Sequence, residues 1–72
     1  MERNGLVEKA NTNINAMIDL ANLDFNSGIL SREINAYKLY KKASDLFNSG
    51  EGYYGLAECF YYGKGGVSKN LI

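Results

Sequence analysis

Along residues 13 to 26 the apolar positions Ile14, Met17, Ile18, Leu20, Ala21, Leu23 and Phe25 cover most of a helical circumference. Only Asn15, Asp19, Asn22 and Asn26, at i, i+4, i+7 and i+11, form a narrow polar stripe. So wide an apolar arc predicts a helix covered on two sides, the middle element of its domain. Residues 31 to 48 carry a more ordinary amphipathic pattern, with Ala36, Leu39, Tyr40, Ala43, Leu46 and Phe47 on one face and Lys38, Lys41, Lys42 and Asp45 opposite. Ser31 is the expected N-cap, and Glu33 in the first turn suits the positive end of the helix dipole. Residues 51 to 62 predict another helix, with Gly52, Leu56, Cys59 and Phe60 inward and Tyr54, Glu58 and Tyr61 on its other side. Gly52 and Gly55 each cost a helix about 1 kcal/mol against alanine, which is tolerable where they let a neighbouring helix approach closely. A short helix over residues 5 to 11, with Leu6, Val7 and Ala10 facing the same way, completes the order before a tail from Val67 to Ile72.

The helices are separated by turn-forming residues at Asn26-Ser27-Gly28, Asn48-Ser49-Gly50 and Gly63-Lys64-Gly65-Gly66, and proline is absent throughout. Nowhere is the alternation of a half-buried strand sustained, so an all-α fold in a single domain, residues 1 to 72, is expected. At 72 residues one core supplies only a few kcal/mol of net stability. With one cysteine and no histidine, disulfides and a metal site are unavailable as staples, leaving association as the expected supplement.

Lys+Arg and Asp+Glu are both 8, so the chain lacks the excess of cations that neutralises nucleic-acid phosphates. No apolar run approaches the roughly 20 residues of a membrane span. The start Met1-Glu2-Arg3-Asn4-Gly5 has neither a signal core nor a glycine placed for myristoylation. A soluble, cytoplasmic protein with no nucleic-acid or membrane partner is the expectation.

Self-comparison aligns Ala21, Phe25 and Gly28 with Leu56, Phe60 and Gly63 at a constant offset of 35 (60 minus 25). Leu6, Lys9 and Ala10 align with Leu39, Lys42 and Ala43 at 33 (39 minus 6), the difference being absorbed in the turn between helices. A period in the mid-thirties built from two helices is the signature of a helical solenoid such as a tetratricopeptide array, in which neither half buries its apolar face alone. Ala36, Tyr40, Lys42 and Ala43, then Gly52, Leu56, Ala57 and Phe60, then Gly63, Val67, Lys69 and Asn70 resemble the Sel1-like repeat. Ala57 stands where that repeat has glycine, Asn70 where it has an acid, and the closing turn has one extra glycine. The resemblance covers residues 36 to 70 well and residues 6 to 34 in diluted form. It implies a right-handed stack of antiparallel helix hairpins, three to four helices in all, acting as a protein-binding adaptor, and carries over no catalytic residues. Several secreted members brace each repeat with a cysteine pair, which Cys59 alone cannot form; this argues for a reducing compartment.

Candidate chemistry is sparse. The glycines around Lys64 lack the preceding strand, following helix and Gly-Lys-Ser/Thr ending of a phosphate loop, and read as a repeat-closing turn. Cys59 has no histidine to activate it and falls on an apolar face, as a buried structural thiol does. Asp19, Asp24 and Glu58 are unpaired in sequence and read as solvated acids. Without histidine, a metal cluster or length for a deep pocket of ~300 Å³, an enzyme is disfavoured and no cofactor is expected.

The tyrosines are the most suggestive group. All six lie between residues 37 and 62, and Tyr54, Tyr61 and Tyr62 fall outside the inward stripe of their helix. Tyrosine favours interfaces because it offers apolar area with one polar tip, although rings at such positions also pack within helical repeats. Lys38, Lys41 and Lys42 form a basic stripe that a solvated face explains equally well; if functional, it points to an acidic partner. The leading expectation is a non-enzymatic protein-interaction module docking a partner through Tyr37, Lys38, Lys41, Tyr54, Glu58, Tyr61 and Tyr62. The alternative is a small stand-alone inhibitor from a phage or mobile element that blocks a larger protein machine. The apolar arc of residues 14 to 25 and the outer tyrosines, at the two ends of a short repeat stack, further predict a homodimer through open repeat ends.

Overall fold

In the computed structural model Asn13, extended at φ −133°, accepts the backbone N–H groups of Asn15 and Ala16 at 2.9 and 3.2 Å and so caps a helix over Ile14–Phe25. The structure describes residues 3–10 and 13–66. The Val67, Lys69 and Asn70 positions of the repeat pattern, and the tail of which they are part, lie outside the described residues. Among the described residues there are four helices, α1 (Arg3–Ala10), α2 (Ile14–Phe25), α3 (Leu30–Phe47) and α4 (Gly50–Tyr62), and no strand. None is long and apolar enough to cross a membrane.

Each helix packs on the next in sequence, and α2 also touches α4, giving a slab of 35 × 26 × 14 Å. The wide apolar arc places α2 in the middle as expected: Ala16, Met17, Ile18, Leu20, Ala21 and Phe25 are buried, while Asn15, Asp19, Asn22 and Asn26 face out. Burying a Leu- or Met-sized side chain contributes about 1.5–3 kcal/mol, and this one helix supplies half of the buried apolar residues among those described. Leu23 is exposed instead, since neither flanking helix reaches its side of α2. From α1 only Leu6 and Ala10 enter the core. Val7, expected beside them, is exposed, because successive positions on a helix are about 100° apart and α1 has only α2 to cover.

Helix α3 starts one residue earlier than expected. Its N-cap is Ile29, with no side-chain cap bond, and not Ser31. Ser27 shapes this entry: its hydroxyl donates to the Asp24 carbonyl at 2.7 Å and accepts the Ile29 N–H at 3.1 Å. Glu33 does lie in the first turn. Ala36, Tyr40, Ala43 and Ser44 are buried, but Leu46 (66% exposed) and Phe47 are not, correcting the expected core face. The cause is length: α3 has 18 residues against 12 in α2, and its last turn runs past its partner.

The close approach expected of the α4 glycines is present. A Cβ on Gly52 would stand 2.9 Å from the Tyr40 carbonyl oxygen and 3.0 Å from the Ser44 nitrogen, and one on Gly55 would overlap the Tyr40 ring. Tyr40 therefore fills the α3–α4 seam, edge-on to Phe25 at 6.2 Å, with its hydroxyl donating to Asn22 Oδ1. Phe60, expected inward, is 40% exposed and leans edge-on to Tyr37 at 6.2 Å, because the glycines and Cys59 already fill the contact side of α4.

Candidate functional site

Gly52, Gly55 and Cys59 recur on one side of α4 and bury it against α3, which leaves the tyrosines to face outward. Two adjoining concavities border that outer side. One of about 340 Å³ lies between α2 and α4, with Ile18 and Asn22 on one wall and Glu51, Tyr54 and Glu58 on the other. The second, about 300 Å³, is lined by Tyr54, Ala57, Glu58, Tyr61 and Tyr62. Both are open to solvent. Tyr54 and Glu58 border both, so the two concavities adjoin along that pair as two parts of the outer α4 groove.

Four of the seven expected site residues thus come together. Tyr54 is 68% exposed and Tyr61 59%. Tyr62 is held edge-on to Phe25 at 6.3 Å and to Tyr61 at 4.9 Å, so it is a wall braced by the core. The other three lie elsewhere and border neither concavity. Tyr37 is half-buried against Phe60 and beneath Gly65, Lys38 is exposed, and Lys41 pairs loosely with Asp45 at 3.5 Å. An exposed i,i+4 pair of that kind is worth a few tenths of a kcal/mol at most.

Sequence reasoning missed two groups. Asp24, read as a solvated acid, is fully buried. It accepts from Arg3 Nε and Nη2 at 2.8 and 3.0 Å and from Asn35 Nδ2 at 2.7 Å, joining α1, α2 and α3. Burial works against its charge, but the Arg3 fork, the Asn35 amide and the charges of Arg3 and Arg32 together hold its pKa below the ordinary 3.8. The available signal was phase: Met17, Ala21 and Asp24 fall at i, i+4 and i+7, one line along the helix. The second group is Lys64. The turn closed by Gly63 (φ 69°) and Gly65 (φ 79°) returns its ammonium to α2, where it donates to the Phe25 carbonyl at 3.1 Å and lies 4.5 Å from the centre of that ring.

The reactive groups are engaged in structure. Burial, with the nearby Glu58 carboxylate, pushes the Cys59 thiol up to about 11, so it is protonated at neutral pH and a poor nucleophile. Asp24 has its acceptor sites filled by Arg3 and Asn35. Among the described residues no three His, Cys, Asp or Glu side chains converge as metal ligands would. What the groove offers is aromatic area, two carboxylates and the Asn22 amide. No protein-family model matches the chain, and neither does any of the curated proteins or solved structures with which it was compared.

Proposed function

We propose that this chain is a non-catalytic protein-interaction module of helical-repeat type that docks a partner segment in the α4 groove, through Tyr54, Glu58, Tyr61 and Tyr62. Tyr37, Lys38 and Lys41 form a separate strip on α3 for a second, acidic contact. The observation that carries the reading is Tyr54: two-thirds exposed, it stands where the two concavities meet, with no hydrogen bond or aromatic partner among the described residues. A ring so placed does nothing for the core, and tyrosine is among the residue types that concentrate binding energy at interfaces. The repeat character is supported by equivalent positions in the two halves. Ala10 and Ala43 are both buried, Asp24 and Cys59 (59 minus 24 is 35) are both fully buried, and Gly28 and Gly63 both adopt positive φ just after a helix.

The test is a photo-crosslinking amino acid at position 57, inside the groove, with the captured partner then measured against Tyr54→Ser/Tyr61→Ser. Exposed substitutions change stability by about 0.5 kcal/mol each, a melting shift of only a few degrees for a domain of this size. The expected result is a melt nearly unchanged and partner capture lost. A fall of more than about 10 °C with binding retained by the folded fraction would show that the rings serve the fold.

A further inference from the structure

Among the described residues the groove carries two carboxylates and no cation. Glu51, Tyr54 and Glu58 fall at i, i+3 and i+7 on α4, so one exposed ring stands between two carboxylates along one side of the helix. Glu58 extends the same charge into the adjoining concavity, beside Tyr61 and Tyr62. No Lys or Arg lines either concavity, and neither glutamate has an ion-pair partner among the described residues. Lys64, just past the end of α4, is engaged on the Phe25 carbonyl and ring.

Exposed aromatic faces beside a carboxylate recognise a cation, and the two natural cations use them differently. A planar guanidinium stacks on a ring while its N–H fork meets a carboxylate; a compact, strongly hydrated ammonium can stand over a ring, as Lys64 does on Phe25, but offers neither the planar stack nor the fork. We propose that the α4 groove takes an arginine-bearing segment of a partner protein, the guanidinium lying against Tyr54 or Tyr61 with Glu58 as its counter-charge. The proposal rests on the docking reading above and names the partner's chemistry. A second copy of this chain is a poorer occupant. Its two arginines are Arg3, bonded to Asp24, and Arg32, half-buried close enough to act on the same carboxylate. Its exposed lysines Lys9, Lys38, Lys41 and Lys42 lie on α1 and α3, and an ammonium lacks the planar face that stacks on the groove's tyrosines.

The experiment is a backbone-amide NMR titration of the full chain with N-acetyl-arginine methylamide, alongside the lysine compound and the uncharged citrulline compound. The arginine compound is expected to shift the amides of Asn22 and residues 51 to 62. It should bind about tenfold more tightly than citrulline and roughly threefold more tightly than lysine, as loss of charge and loss of stacking respectively require. Glu58→Gln should remove most of the arginine preference over citrulline, and Tyr54→Leu/Tyr61→Leu should erase the arginine-over-lysine margin; amide dispersion verifies that both variants are folded. Equal responses to arginine and citrulline, shifts centred outside the groove, or indifference to both Glu51→Gln and Glu58→Gln would overturn the proposal. So would groove shifts that grow with protein concentration without any probe, which assign the groove to a second copy, or arginine binding that appears only when residues 67–72 are deleted, which assigns it to this chain. A crosslinked partner that needs Tyr54 and Tyr61 but binds both Gln variants undiminished would sink the arginine assignment and leave the docking reading standing.

Discussion

Two glycines in one helix have opposite requirements. At Gly52 an added Cβ meets backbone atoms, the Tyr40 oxygen at 2.9 Å and the Ser44 nitrogen at 3.0 Å, which no rotamer change relieves. At Gly50 nothing lies within 4 Å. Alanine is the better helix former by about 1 kcal/mol, so propensity favours both substitutions and packing opposes only one. Gly52→Ala is expected to lose about 2 kcal/mol net, the overpacking outweighing the propensity, while Gly50→Ala gains about 0.5 kcal/mol. Urea denaturation of the two variants checks the pair; a stabilised Gly52→Ala would mean that the α3–α4 seam yields. Sequence alone made close approach legible, since glycine on an inward helix face has few other uses. It did not make Tyr40 legible as what the glycines admit, because a tyrosine on an apolar stripe reads the same whether its ring fills a seam or a surface.

At the scale of elements the weakest join is α1, an eight-residue helix too short to persist alone and docked on α2 through Leu6, Ala10 and the Arg3–Asp24 pair. Asp24 has a native pKa held below its ordinary 3.8, so its contribution is complete above that value and is lost as pH falls below it through the native one. Removing Arg3 leaves the buried carboxylate with Asn35 as its remaining side-chain partner. Arg3→Ala is therefore expected to cost about 2–3 kcal/mol, near the low end for breaking a buried pair because Arg3 itself is partly exposed. It should also abolish the amide-exchange protection of residues 6 to 10 at neutral pH, and in wild type the same protection should fade only below about pH 4. Full protection in the variant would show that apolar contacts alone hold α1. Helix positions were legible to within a residue or two because hydrophobic period and turn residues agree along α2, α3 and α4, although the one cap expected, Ser31, lies inside α3. What failed was long-range: Asp24 finds its partner 21 residues away on another helix, and Leu46 and Phe47 continue an apolar stripe past the end of the helix it packs on.

For the whole molecule, the expectation of a dimer rested on two open apolar ends, and the structure leaves one. Except for Leu23 the α2 arc is covered by α1 and α3, so the main exposed apolar groups are the α4 tyrosines, the overhanging end of α3 with Leu46 and Phe47, and the α2–α3 turn with Ile29 and Leu30. A two-fold contact is isologous: residues near its axis meet their own copies. Centred on the α4 groove, it would bring Glu51 and Glu58 against the same residues of the partner, and like charges juxtaposed across an interface cost several kcal/mol. The apolar gain from burying Tyr54, Tyr61 and Tyr62 would have to exceed that cost before a stable pair formed. The wild-type chain is therefore expected to remain monomeric to about 100 µM at neutral pH and low salt, where such repulsion is least screened. Glu51→Gln/Glu58→Gln, which keeps the shape of the tyrosine face and removes its charge, should shift it towards a dimer over the same range. Light scattering coupled to size exclusion reads both. A wild-type dimer that the double variant leaves unchanged would place the self-contact elsewhere, on the end of α3 or the α2–α3 turn, and free the α4 groove of any part in it.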